Sequence, residues 1–454
     1  MKGVIAVFTG KDFSNYPPIP TAAGAGCKVP KRYPLAIDHV NYVGEPIAMV
    51  IAEDRYIAKD AVELINVDYE PLEVVVDPEK ALDKKSPLVH DEFPDNVAYY
   101  QRTKGGDPDK AFKEADLIVK EKLVIQRLAP IPLETRGIVA NYESSTGFLT
   151  IWMGTQAPHV MRTWYASYLG LPENKIRVIA PDVGGGFGCK VQFYSDEIST
   201  VIASIKLGRP IKWIEERRES LLTTNHGRDQ IHYIELAVKK DGKVIGLRDK
   251  IIADYGAYLH LLTPASSQLT VAMITGCYDI KNIDVELYGV FTNKMSIDAY
   301  RGAGRPEATY VIERMIDEVA RALKMDPAEV RIKNFIKPNQ FPYKNAAGTV
   351  YDTGNYEENL RKALNLIGYE KLRKEQKEIF EKEGRLLGIG IATYVEICGF
   401  GPSKGMPENW GGYESAKIRV DPDGRVTVYT GTSAHGQGHD TPFAQIVADE
   451  LGVN

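Results

Sequence analysis

The stretch PDVGGGFGCKV, residues 181–191, sets four glycines within five residues around one aromatic, Phe187. Upstream, KIRVIA (175–180) has the β-branched composition of a strand. Downstream, FYSDEISTVIASIKLG (193–208) puts Ile198, Val201, Ile202 and Ile205 on one helical face and stops at Gly208. A glycine run between a strand and a helix N-terminus presents bare backbone N–H groups to an anion or oxo group. Glycine also tolerates positive φ and lets another molecule approach the backbone closely. The run does not fit a P-loop, because Cys189 separates Gly188 from Lys190 and Val191 follows. Nor does it fit a dinucleotide fingerprint, which needs an acidic residue about 20 positions further on. A strained turn serving only helix–strand packing would use glycines in the same way.

Two further loops repeat the theme. YRGAGRPEATYVIERMIDEVARAL (300–323) has a glycine loop before a helix, with Pro306 in its first turn and Ile312, Met315, Ile316, Val319 and Leu323 on the core face. Arg301 and Arg305 are its chemically pointed residues, since guanidinium groups in such loops meet phosphates and oxyanions. GTSAHGQGHDT (431–441) is the third, with Gln437 between Gly436 and Gly438. Its His435 and His439 are four apart but on a loop, so a surface turn explains them better than a metal pair. In GTQAPH (154–159), Gln156 ends a strand and could bond into a site, or merely begin a polar turn. Together the loops point to a large anionic ligand held by backbone amides.

The chain of 454 residues has room for two to four domains. Its net charge of −5 argues against nucleic acid or an anionic membrane as partner. No apolar run spans a bilayer and no signal peptide is evident, so the expected compartment is the cytoplasm. Cys27, Cys189, Cys277 and Cys398 are too dispersed for a Cys-x-x-Cys pair or an iron–sulfur cluster.

Residues 1–85 read as a small α/β unit. VGEPIAMVIA (43–52) is a strand, Ile57, Ala61, Leu64 and Ile65 keep helical spacing, and INVDYEPLEVVV (65–76) is strand-like again. Residues 86–110, rich in Lys, Asp and Pro, read as a linker. Residues 111–385 are mixed α+β, with a hairpin turn at Asp241–Gly242 and a charged, solvated helix near 369–384. Residues 386–454 begin another unit. It ends in an amphipathic helix with Phe443, Ile446, Val447 and Leu451 near one face and nothing to pack on.

In this order GGGFGCK, AYRGAGRPEA and GQGHDT, with TQAPH upstream, resemble the large, molybdenum-binding subunit of the xanthine oxidase family of molybdenum hydroxylases. GVIAVFTGKD, NYVGEPIAMVIAED, AVELINVDYEPLEVVVDPEKAL, RIKNF, YDTGNY and GIGIATYVE extend the likeness over nearly the whole chain. The resemblance implies an α+β fold, with an α/β hammerhead domain followed by molybdopterin-binding domains, the second incomplete. It implies a molybdenum–molybdopterin cofactor, in a dinucleotide form, with iron–sulfur and FAD groups on partner subunits. Gln156, Phe187 and Arg301 then surround the metal without bonding it, and Gly185, Gly186, Gly188, Gly302, Gly436, Gln437 and Gly438 line the cofactor.

Departures narrow the expectation. Val191 stands where purine-oxidising members carry an acidic residue, and Ala303 replaces their aromatic. Gly302 stands where copper-containing carbon monoxide dehydrogenases carry a cysteine after the Arg. An aldehyde or heteroaromatic hydroxylase remains. The late GEP-type motif with the family's general base Glu is absent, so no catalytic base is assigned. The alternatives are an incomplete fragment or scaffold needing a second polypeptide for the C-terminal half, and a carbon monoxide dehydrogenase-like chain without the copper cysteine. A nucleotide-binding module fits neither fingerprint.

Overall fold

The alternating strands β1 (Val4–Thr9) and β2 (Ala48–Ala52) pair antiparallel, and α1 (Arg55–Glu63) follows them, with Asp54 capping its Tyr56 and Ile57 amides. The computed structural model describes residues 1–24, 26–397 and 415–453. Residues 66–74 are exposed and form no strand, against the strand-like reading of 65–76. Beyond them, Val75 bonds only to Asn293, through two hydrogen bonds, rather than to a strand ladder.

Residues 86–110 are no linker. They contain β3 (Val97–Gly105), the edge of a five-stranded sheet. After α2 (Pro108–Lys113) comes β4 (Leu117–Leu128), the opposite edge. The chain then builds a second sheet from β5 (Gly137–Glu143), β6 (Phe148–Met153), β7 (Ile176–Ile179) and β8 (Ile211–Ile214), ordered β7-β6-β5-β8. The helices α3 (Pro158–Leu169) and α4 (Ser195–Leu207) connect these strands. Ile198, Val201 and Ile202 of α4 pack with Ile138, Leu149, Ile151 and Tyr165, as their helical spacing requires.

After α5 (Arg217–Thr223), β9 (Gly227–Val238) and β10 (Val244–Gly256) form the expected hairpin, Gly242 at its turn with φ 87°. The chain passes through α6 (Thr263–Ala272) and returns as β11 (Ile283–Phe291), parallel to β10. The first sheet is thus ordered β3-β11-β10-β9-β4. One face buries Leu236, Leu247, Ile251, Val285 and Leu287 in one core with Val311, Ile312, Met315 and Val319 of α7 (Arg305–Leu323). The other face is wet and laced by cross-strand pairs such as Arg102–Asp284 and Lys120–Glu235.

Past α8 (Pro327–Asn334) lie the short hairpin β12 (Tyr343–Lys344) and β13 (Val350–Tyr351), then α9 (Tyr356–Ile367) and α10 (Tyr369–Glu383). The last unit holds β14 (Ala416–Val420), β15 (Val426–Thr430) and α11 (Asp440–Leu451). None of its described residues is buried. The first hundred residues dock on both cores: Arg32 donates to the Phe193 carbonyl, and Tyr258 donates to Glu45.

Candidate active site

The glycine run joins the second sheet to α4, residues 292–304 join the first sheet to α7, and the two loops meet. Their meeting is a backbone-to-backbone fit. A Cβ on Gly188, whose φ is 96°, would lie 2.4 Å from the Ala299 carbonyl oxygen. The Arg301 amide donates to the Phe187 carbonyl at 3.0 Å. Behind them Gln192 donates to the buried Asp298 carboxylate at 2.6 Å, which also accepts from the Ala299 and Leu262 amides. Burial pushes that carboxyl up to about 6.

Gln156 lies at the end of β6. Its Oε1 accepts from the Gly188 and Lys190 amides at 2.9 and 3.2 Å, and a Cβ on Gly186 would meet its Cδ at 2.5 Å. Among the described residues its Nε2 has no acceptor, and neither have the amides of Gly186 and Phe187. Phe187 adopts φ 53°, a left-handed conformation costing a bulky residue about 1–2 kcal/mol, and the residue is 40% exposed. The Arg301 guanidinium lies 5.7 Å from that ring, and no described carboxylate pairs with it. Arg305 instead pairs with Glu396.

The helix N-terminus is not the anion donor that the sequence pattern implied. α4 starts four residues beyond Val191, and Asp196 and Glu197 occupy its first turn. The Asp196 carboxylate takes the positive end of the helix dipole itself, and the Glu197 side chain is buried behind it. The free donors are the loop's own amides.

The third loop reaches the first: a Cβ on Gly436 would lie 3.8 Å from the Gly185 nitrogen. Gly438 lines the cavity beside it, but Gln437 does not. Gln437 is exposed and folds back, its Oε1 accepting from the His435 amide. A cavity of about 790 Å³ separates residues 176–183 from 430–440.

Several residues of the site carried no sequence signal. Glu134 accepts from the Gly184 amide at 2.8 Å and from the buried Lys190 ammonium at 2.6 Å. Pro132 packs on Gly185. Arg136 is fully buried, bidentate to Asp196 at 2.6 and 2.7 Å, 2.7 Å from Glu215, and 3.8 Å over the Tyr194 ring. The Tyr194 hydroxyl in turn donates to the Cys189 carbonyl at 2.7 Å. Lys190, Tyr194 and Asp196 stood in quoted stretches, yet nothing in those stretches signalled their partners.

Glu197, buried beside Arg136, has an unpartnered Oε2. Burial pushes its carboxyl up to about 8, Arg136 opposing and Asp196 and Glu215 adding. The folded chain therefore holds a proton between about pH 4.5 and 8 that the unfolded chain releases, and stability falls as pH rises through that window. Glu197→Gln should flatten the fall: its melting temperature should gain on the parent at pH 8.5 and not at pH 5. Equal pH slopes would contradict the assignment.

The residues present fit a cofactor that carries its own metal ligands. The cradle is backbone, which any Cβ would fill, and its free donors are two amides, an amide side chain and a guanidinium. Among the described residues no group of three His, Cys, Asp or Glu could hold a metal ion. Cys189 donates its thiol to the Gly186 carbonyl, and burial pushes that thiol up to about 11.

Fold and cradle together suit a bound group that brings its own metal ligands, with the protein surrounding it rather than ligating its metal. Residues 1–73 match the aldehyde oxidase and xanthine dehydrogenase a/b hammerhead domain, and residues 89–335 and 362–454 match molybdopterin cofactor-binding domains. The chain is 43% identical over its whole length to 58% of the carbon monoxide dehydrogenase large chain of Afipia carboxidovorans. It is 37% identical, again over its whole length, to 56% of the nicotine 6-hydroxylase large subunit of Paenarthrobacter nicotinovorans. Quinoline 2-oxidoreductase from Pseudomonas putida 86 superposes with a TM-score of 0.93 at 34% identity, over 99% of this chain and 58% of that one. The chain thus spans less than two thirds of the length of these relatives. It belongs to the xanthine oxidase family of molybdenum hydroxylases, as a large, molybdopterin-binding subunit.

Proposed function

We propose that this chain is the molybdopterin-binding part of an oxidoreductase that hydroxylates an aldehyde carbon, or failing that a heteroaromatic one, with oxygen from water. Electrons pass to iron–sulfur and FAD partner subunits in the cytoplasm. The observation that carries the choice of substrate is Gly302. Its φ is 101°, and a Cβ there would lie 2.3 Å from the Pro306 ring. A thiol directly after Arg301 therefore has no room, and the only cysteine of the glycine run is turned into Gly186. These facts support chemistry other than copper-dependent carbon monoxide oxidation. The exposed Ile131, Leu133 and Phe187 around the loop favour an apolar or aromatic substrate.

When bound, the molybdenum–pterin group supplies two-electron oxidation. Gln156 Nε2 and the Gly186 and Phe187 amides would donate to it. Arg301 would offer a charge beside it, and Phe187 would wall off solvent. Gly185 and Gly436 would flank the pterin, with Gly438 and Gln437 at the outer edge. The base Glu of the family is left to a segment outside residues 1–454, on the same or a second polypeptide.

The test is the metal content of the complex that co-purifies with this chain from its own cells. Molybdenum near one per chain, iron, no stoichiometric copper and aldehyde turnover are expected. A complex without molybdenum would overturn the reading, and one copper per chain would overturn the substrate choice.

A further inference from the structure

Among the described residues, five other than glycine adopt a left-handed backbone: Phe187, Arg228, Asp229, Ala303 and Lys324. Phe187 and Ala303 lie in the two loops of the site, and Lys324 ends α7. Arg228 and Asp229 lie in neither, yet they are consecutive, at the start of β9, with φ 67° and 58°. Strain of this kind persists only where the surroundings over-determine it, and it concentrates at functional sites.

The surroundings are specific. Asp229 accepts from Arg127 Nε at 2.6 Å and lies 3.3 Å from Lys294 Nζ. That ion-paired anchor turns Arg228 the other way, into the Arg301 loop. Arg228 Nη1 donates to the Tyr300 carbonyl at 2.9 Å, and Nη2 donates to the Arg301 carbonyl at 2.7 Å. Nη1 also pairs at 3.2 Å with the buried Glu307, in the first turn of α7, and the guanidinium lies 4.8 Å over the Tyr300 ring. Gly227 permits the approach, because a Cβ there would meet the Tyr300 Cβ at 2.5 Å. Arg301 is therefore gripped at both ends of its backbone, its amide by Phe187 and its carbonyl by Arg228, while no described carboxylate pairs with its side chain. Only a planar fork reaches two successive carbonyls and a carboxylate at once; an ammonium does not.

We propose that Arg228 is a positioning residue, which fixes the Arg301 loop against Phe187 and so sets where the Arg301 charge stands in the site. The role in turnover rests on the hydroxylase reading; the grip on the loop does not.

The test uses Arg228→Lys and Arg228→Met in the native complex, with Glu307→Gln as a milder variant. Hydrogen exchange of the 299–304 amides should rise about tenfold in both Arg228 variants, with α4 and β10 unchanged. With molybdenum retained, kcat should fall about tenfold to a hundredfold while KM changes little. Glu307→Gln keeps both carbonyl contacts but weakens the ion pair that holds the guanidinium, so exchange at 299–304 should rise by a smaller factor, about twofold to threefold. Should neither Arg228 variant fold, added exchange confined to the loop in Glu307→Gln still supports the grip, and parental exchange there, or added exchange spread evenly, overturns it. Wild-type exchange at 299–304 in the Arg228 variants, or exchange raised equally across β9 and α7, would overturn the proposal. Absence of molybdenum from the wild-type complex would remove the hydroxylase reading but leave the exchange contrast standing.

Discussion

Gly188→Ala should abolish cofactor retention and cost at least about a hundredfold in turnover, equivalent to about 2.7 kcal/mol or more at the transition state. Two effects coincide there. The backbone φ of 96° is one that L side chains rarely adopt, and the new methyl would lie 2.4 Å from the Ala299 carbonyl oxygen. That oxygen is backbone, so the neighbour cannot swing aside. The loops must separate, which breaks the Arg301 to Phe187 hydrogen bond and draws the Gly188 amide away from Gln156. Molybdenum content and the melting temperature report the result independently. A variant with full molybdenum and parental turnover would show that the contact between the loops is dispensable.

Arg136→Met should be the most destabilising substitution near the site, at about 3–5 kcal/mol, the usual cost of leaving buried charges without their partner. It strands the ionised Glu215 in the interior and leaves Asp196 without its bidentate partner. It also removes the cation stacked on Tyr194, whose hydroxyl holds the Cys189 carbonyl at the end of the glycine run. Chemical denaturation should show the loss at pH 7 and a smaller one as pH falls below about 4.5, where Glu215, no longer held low by the guanidinium, takes up a proton in the variant. Equal losses at both pH values would mean that packing, not charge, is the larger part of what Arg136 contributes.

The residues that make the cradle divide by how far apart they lie in sequence. Gln156, Gly185, Gly186, Phe187, Gly188, Arg301 and Gly302 all stand in short glycine-bearing motifs, and the fold brings them to one place. Glu134 is 50 residues from the Gly184 amide it holds, and Arg228 is 73 from the Arg301 carbonyl. Neither stood in a quoted motif. Gln437 shows the reverse: its motif is plain, but within the described residues its amide serves its own loop.

The sequence by itself determined what is local. Apolar spacing settled the buried faces of α4 and α7, Asp241–Gly242 settled the hairpin, and runs of glycine marked where backbone must come close to something else. These follow from helix period, turn geometry and the missing Cβ, which act within a few residues. Only the tertiary structure decided that 97–105 joins a sheet while 66–74 joins none, that Asp196 closes the α4 N-terminus to an anion, and that Arg228 is bent into the Arg301 loop. A strand is completed by its neighbour, and a buried charge by whatever the fold packs against it, so neither is settled by the residues alongside it in the chain.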